Sequence, residues 1–121
     1  MYLSIISTIF GILILLSGVA GFVPAYTTDG LLFDTFQIDT VHSVFNIIVG
    51  IVALLCSFKY KADRLFFQIF GFIYGLIAIA TFVMGGDLVF TQLNIPDNVL
   101  HVLIAVVFLV IGFSADKEGE V

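Results

Sequence analysis

The chain is poor in charge, cysteine and proline. Only 11% of its 121 residues are Asp, Glu, Lys or Arg, and Lys and Arg together number four. So few bases leave no cationic face for nucleic acid, and no nucleic-acid partner is expected. The lone cysteine, Cys56, rules out an intrachain disulfide. It lies inside an apolar run and reads as a small core or lipid-facing residue. No CxxC pair, no Gly-rich phosphate loop and no nucleophile–base pair is present, so no enzyme is expected.

Hydrocarbon is what the chain has in excess. Hydrophobic residues make up 61%, against roughly half in a soluble domain, where about a quarter is charged. A soluble core of this size could not hide so much apolar surface, so lipid is the expected solvent. The apolar runs predict four spans at 2–23, 40–58, 65–84 and 97–113, within one domain over 1–121. Each is near the ~20 residues needed to cross a ~30 Å hydrocarbon core. A polar, disordered tail is expected over 114–121. The first run ends at Val23-Pro24-Ala25, a cleavage-like site, but no Lys or Arg precedes it, so a retained span is expected rather than a leader. Pro24 is expected to stop that helix.

Three of the four basic residues, Lys59, Lys61 and Arg64, fall in one short segment between the second and third spans. Lys117 lies on the same side in a four-span arrangement, and no base lies on the other. The positive-inside rule then places both termini and the basic loop in the cytoplasm, in a bacterial inner membrane. The outer loops, 25–39 and 85–96, carry Asp29, Asp34, Asp39 and Asp87 but no base. Leu31, Leu32, Phe33 and Phe36 are too apolar for a freely solvated loop and should lie at the membrane interface or across the bundle mouth.

The two halves echo each other. Ser4, Ser7, Gly11, Ile14, Gly18 and Gly21 step down the first span by alternating threes and fours, and Gln68, Gly71, Gly75, Ala78, Phe82 and Gly85 repeat that order in the third. His42, Asn46, Gly50, Ala53 and Ser57 are matched by Asp97, His101, Ala105, Phe108 and Gly112. Small residues in such stripes let helix backbones meet closely where lipid supplies no hydrophobic drive between helices. Gly11, Gly18, Gly50, Gly71 and Gly75 are therefore read as packing positions. Gly71 and Gly75 also form a GxxxG match, read as packing within the bundle before a dimer face. The fold expected is all-α: an integral membrane four-helix bundle made from a duplicated helical hairpin.

Polar residues that could carry chemistry collect at the outer starts of the even spans: Asp39, His42 and Asn46, then Asp97, Asn98 and His101. Several readings stay open. Asp39 or Thr40 could cap the second span and Asp97 or Asn98 the fourth, with Pro96 just before it. Asp39, His42, Asp97 and His101 could together bind a divalent metal. His42 and His101 could ligate a haem or another tetrapyrrole between helices, or sense outer pH.

The whole pattern resembles the small four-span bacterial membrane proteins grouped as domain of unknown function 4383. The matching text is Asp39-Thr-Val-His42-Ser-Val-Phe-Asn46-Ile-Ile-Val-Gly50, Asp97-Asn98-Val-Leu-His101 and the Phe70–Gly75 stretch. The resemblance implies the fold and topology and supplies no activity. Asn46 stands where such proteins often carry a second histidine, which weighs against a His-rich metal site. Three function classes follow: a structural or accessory subunit that meets lipid and other membrane subunits or itself, a cofactor- or metal-binding protein, and a small transporter or channel.

Overall fold

The computed structural model describes residues 2–88 and 91–115. Four helices are present among them: α1 (Tyr2–Ala20), α2 (Thr40–Cys56), α3 (Tyr60–Met84) and α4 (Ile95–Ser114). The four-helix architecture expected from the apolar runs is therefore observed. Helices α1, α3 and α4, of 19, 25 and 20 residues, are long and apolar enough to cross a membrane. Helix α2, at 17 residues, is at the lower end of spanning length. Ile5, Ile9, Leu13 and Leu16 on α1, and Leu76, Ile79 and Val83 on α3, point outward. An outward face this apolar fits lipid.

Helix boundaries move for identifiable reasons. Helix α1 ends at Ala20, before Pro24. Phe22 and Val23 donate to Val19 and Ala20 in a tightened last turn. Val23 is then extended, at φ −98° and ψ 115°, because the following proline ring disfavours the helical conformation there. The basic segment is not the six-residue loop expected. Helix α3 begins at Tyr60, so Lys61 and Arg64 are helical and only Ser57–Lys59 link the hairpin. The Asp63 N–H donates to the Lys59 carbonyl at 2.9 Å and closes the first turn, where an acidic side chain suits the helix dipole. Helix α4 starts two residues early. Pro96 sits in its first turn, where its missing N–H would have had no partner. Ser114 ends α4, Ala115 is its C-cap, and 116–121 of the expected tail, with Lys117, lie outside the described residues.

The outer loops carry short strands that the apolar runs did not suggest. Strands β1 (Thr27–Thr28), β2 (Leu31–Leu32) and β3 (Phe36–Gln37) form an antiparallel meander, and β4 (Asp87–Leu88) pairs with β5 (Thr91–Gln92). Asp29 and Gly30 both have positive φ, 53° and 77°. That is the two-residue turn whose twist matches a hairpin. Leu32 is buried against the bundle, while Phe33 is exposed and tilts against Tyr26 with ring centroids 5.7 Å apart.

The duplication is carried by contacts at matched positions. Helix α1 packs chiefly on α2, and α3 on α4. Ser4 Oγ donates to the Ser57 carbonyl at 2.9 Å, and at the corresponding place Gln68 Nε2 donates to the Gly112 carbonyl at 2.9 Å. A Cβ on Gly50 would lie 2.8 Å from the Gly11 carbonyl oxygen, and one on Gly18 would lie 2.7 Å from that of Ser43. Those seams close only on glycine. Gly71 is held as tightly by Leu109, so its GxxxG face is spent on α4. Gly75 is looser: an added Cβ would meet the Ala105 methyl at 3.8 Å. The third-span stripe also departs from expectation. Phe82 points outward, and the buried line is Asp63, Phe67, Gly71, Tyr74, Ala78 and Thr81.

The core is aromatic at mid-depth. Phe10, Phe66, Phe67 and Phe108 contact one another edge to face or tilted, with centroids 5.0 to 6.4 Å apart. Such contacts add to burial. They also fill the bundle between its two polar ends.

Candidate functional site

The outer polar residues meet, and most of their capacity is spent joining the two hairpins. Asp39 is the N-cap of α2: its Oδ1 accepts the His42 N–H at 2.8 Å. Its Oδ2 accepts the Thr91 hydroxyl at 2.6 Å, from the other half of the chain. The cap of α4 is Asn94, not Asp97 or Asn98. Asn94 Oδ1 accepts the Asp97 N–H at 3.0 Å, and Asp97 Oδ2 accepts the Asn94 N–H at 3.0 Å, a reciprocal capping box. A box needs an acceptor at both the cap and the third helical position. Starting the helix at Ile95 supplies both.

Further bonds cross between the halves. Asp97 Oδ2 also accepts the Gln37 N–H at 3.1 Å, Asn94 Nδ2 donates to the Thr35 carbonyl at 2.9 Å, and Gln37 Nε2 donates to Gln92 Oε1 at 3.2 Å. Gln37 and Gln92 hold corresponding places in the two halves. Burial pushes the Asp39 carboxyl up. The Thr91 hydroxyl, the His42 and Gln92 N–H groups and the nearby His42 outweigh that and leave it below its ordinary value.

His42 Nδ1 lies 3.0 Å from the Gln37 carbonyl oxygen, so it carries the proton and donates there. The His42 and His101 rings meet edge to face, with centroids 5.8 Å apart at 69°. Tyr74 covers His101 at 5.4 Å. His101 is buried, and its Nδ1 has no hydrogen-bond partner among the described residues. Asn46 reaches Ser17 Oγ at 3.4 Å, one turn below His42. The buried Oδ1 of Asn98 is unpartnered among the described residues.

These positions correct two expectations. Asp39, His42, Asp97 and His101 do not converge as a metal set: among the described residues, no three His, Cys, Asp or Glu side chains are placed to hold a metal ion together. The Asp39 carboxylate turns toward Thr91, and Asp97 is occupied by two backbone donors. The cavity beside His42 and His101 is about 260 Å³, smaller than the ~300–1,000 Å³ pockets of drug-sized ligands, so it has no room as it stands for a tetrapyrrole held between the two rings.

A cavity of about 260 Å³ lies beneath the outer strands, with His42, Asp97 and His101 on its wall. Ile14, Leu32, Phe36 and Leu100 are among the rest, with Ser17 and Asn46, and the lining is largely apolar.

One buried carboxylate escaped the sequence reading. Asp63, at the opposite end, is 1% exposed and accepts the Ser7 hydroxyl at 2.9 Å through Oδ2, while its Oδ1 has no partner among the described residues. It was hidden among the bases of 59–64. Its place on the same helical line as Phe67, Gly71, Tyr74 and Ala78 was the available signal.

The model of the family described as Domain of unknown function (DUF4383) matches residues 4–114 of the chain. No curated protein and no solved structure matches.

Proposed function

The chain belongs to the DUF4383 family, and on that premise we propose that it is a non-enzymatic structural or accessory subunit of a larger membrane assembly. The observation that carries this reading is how the outer polar residues are used. Asp39, Asp97, Asn94 and Gln37 are bonded to one another's loops and caps and clamp the two hairpins together. A clamp of this kind builds a rigid body and presents no catalytic set. Nearly all the described chain outside the clamp is apolar helix, so its working surface is the surface turned to lipid and neighbouring subunits. We place the chain in a bacterial cytoplasmic membrane with both termini inside, because Lys59, Lys61 and Arg64 share one end of the bundle.

A transporter has less support. Below Asn46 and His101 the rings of Phe10, Phe67 and Phe108 occupy the middle of the bundle, where a polar path would have to run.

Extraction from the native membrane in mild detergent, followed by native mass spectrometry, tests the reading. Stoichiometric co-purifying subunits, or a homo-oligomer, are the expected result. A bare monomer overturns it. Topology is tested in a Cys56→Ser background with single cysteines at Asp34 and Lys59 and an impermeant maleimide applied to intact cells. Labelling at 34 alone is expected, and labelling at 59 alone reverses the orientation.

A further inference from the structure

The glycine seams close within each hairpin and not between the two. Gly11, Gly18 and Gly50 meet atoms of α1 or α2, and Gly71, Gly75 and Gly112 meet atoms of α3 or α4. Close backbone approach of this kind makes each hairpin a tightly packed unit. Between the units the helices touch much less. Only Ser57–Lys59 join them along the chain, at the inner end.

The interface between hairpins is uneven along its depth. In its inner half Phe10 packs on Phe67 and Phe108, and Ser7 donates to Asp63 at 2.9 Å. In its outer half lie two cavities, of about 260 and 160 Å³, each lined from both hairpins and each with His42 and His101 on its wall. Space beside a side chain forfeits dispersion contacts, so the outer half is held chiefly by its loops. Thr91 bonds Asp39, Gln37 bonds Gln92 and Asn94 bonds Thr35 across the two halves, all three at exposed positions. Asp97 with the Gln37 N–H adds a partly buried bond. Bonds exposed to water exchange for bonds to water at little net cost. The outer end is thus fastened by contacts that can release, while the inner end is packed and covalently joined.

We propose that the hairpins swing as two bodies about the Ser57–Lys59 link, with the outer loop bonds as the latch. Opening parts His42 from His101 and joins the two cavities into one cleft toward the outer side. A swing of ~10° over the ~30 Å of a spanning helix moves its outer end by ~5 Å. The swing needs no partner subunit, so it stands apart from the accessory role.

The test uses the full chain with Cys56→Ser in phosphatidylcholine nanodiscs, spin-labelled at pairs of exposed positions and measured by double electron–electron resonance. Val19 with Val99 reads the outer end between hairpins, Ile5 with Val110 the inner end, and Val19 with Val44 the outer end within one hairpin. With the latch intact, the outer pair should show a main distance and a minor one ~5 Å longer, as the swing requires. Thr91→Val with Gln92→Ala removes two latch bonds and leaves both helix caps in place. It should raise the ratio of long to short distance at least about fivefold, the worth of two exposed hydrogen bonds. The other two pairs should stay unmoved. A single outer distance with the latch intact overturns the proposal, and that reading does not depend on the variant folding. Inner and outer pairs that lengthen together mean separation of the hairpins rather than a swing, and a longer Val19–Val44 distance means opening within a hairpin. Either result overturns it too.

Discussion

Asp97, in the first turn of α4, accepts the backbone N–H of Gln37, in the last strand of the first outer loop, at 3.1 Å. One carboxylate oxygen thus closes the α4 capping box and ties the second hairpin to the first. Both functions depend on an acceptor that is almost fully buried.

Asp97→Ala should therefore destabilise the protein by about 2–4 kcal/mol, because two backbone donors lose a charged acceptor at once. Asp97→Asn keeps an acceptor and should cost less. Thermal unfolding in detergent, followed by far-UV circular dichroism, measures both. Equal losses for the two variants would point to packing rather than the bonds.

Ser7→Ala should cost about 1–2 kcal/mol by removing the hydroxyl that donates to the buried Asp63 carboxylate. Asp63→Leu in the Ser7→Ala background should recover part of that loss, since neither partner then leaves a polar atom buried. A double-mutant cycle in the same melts gives the coupling, and a coupling near zero would dismiss the bond as a stabilising contact.

Two glycines should respond in opposite ways. In Gly18→Ala the new methyl meets the Ser43 carbonyl oxygen at 2.7 Å, which forces α1 from α2 at about 1–3 kcal/mol. In Gly75→Ala the nearest atom is 3.8 Å away, and the gain in helix propensity should leave stability unchanged or raise it by up to about 1 kcal/mol. A destabilised Gly75→Ala would show that the α3–α4 seam is tighter than its spacing.

Acid should loosen the clamp through Asp39. Its carboxyl titrates below the ordinary value of 3.8 in the folded chain. The stabilisation is thus fully present above that value and is lost as pH falls through the lower folded value. Unfolding temperature measured against pH should drop below about pH 4, and Asp39→Asn should flatten that limb. An unchanged limb would assign the acid loss to other carboxylates.

Hydropathy and period alone made the architecture legible. Apolar runs near spanning length permit little except helices, since hydrocarbon offers the backbone no other partners. The small-residue stripes marked the α1–α2 seam, where Gly11, Gly18 and Gly50 meet the facing backbone. The outer strands had a local signal too: Asp29-Gly30 is a hairpin turn in any setting, though the flanking strands of two residues are too short to show alternation.

Tertiary structure decided the rest. Whether His42 and His101 clasp a ligand or each other depends on the rotation of α2 against α4, which no spacing within one helix encodes. Whether Asp97 caps its helix or binds a metal depends on where Asn94 starts α4 and on a donor from Gln37, distant in the chain. Asp63 looked like one charge in a basic loop and became a buried acceptor only because α1 brought Ser7 to it. A stripe fixes which face of a helix turns inward, because that follows from the local backbone repeat. What each inward residue meets is settled by packing between helices.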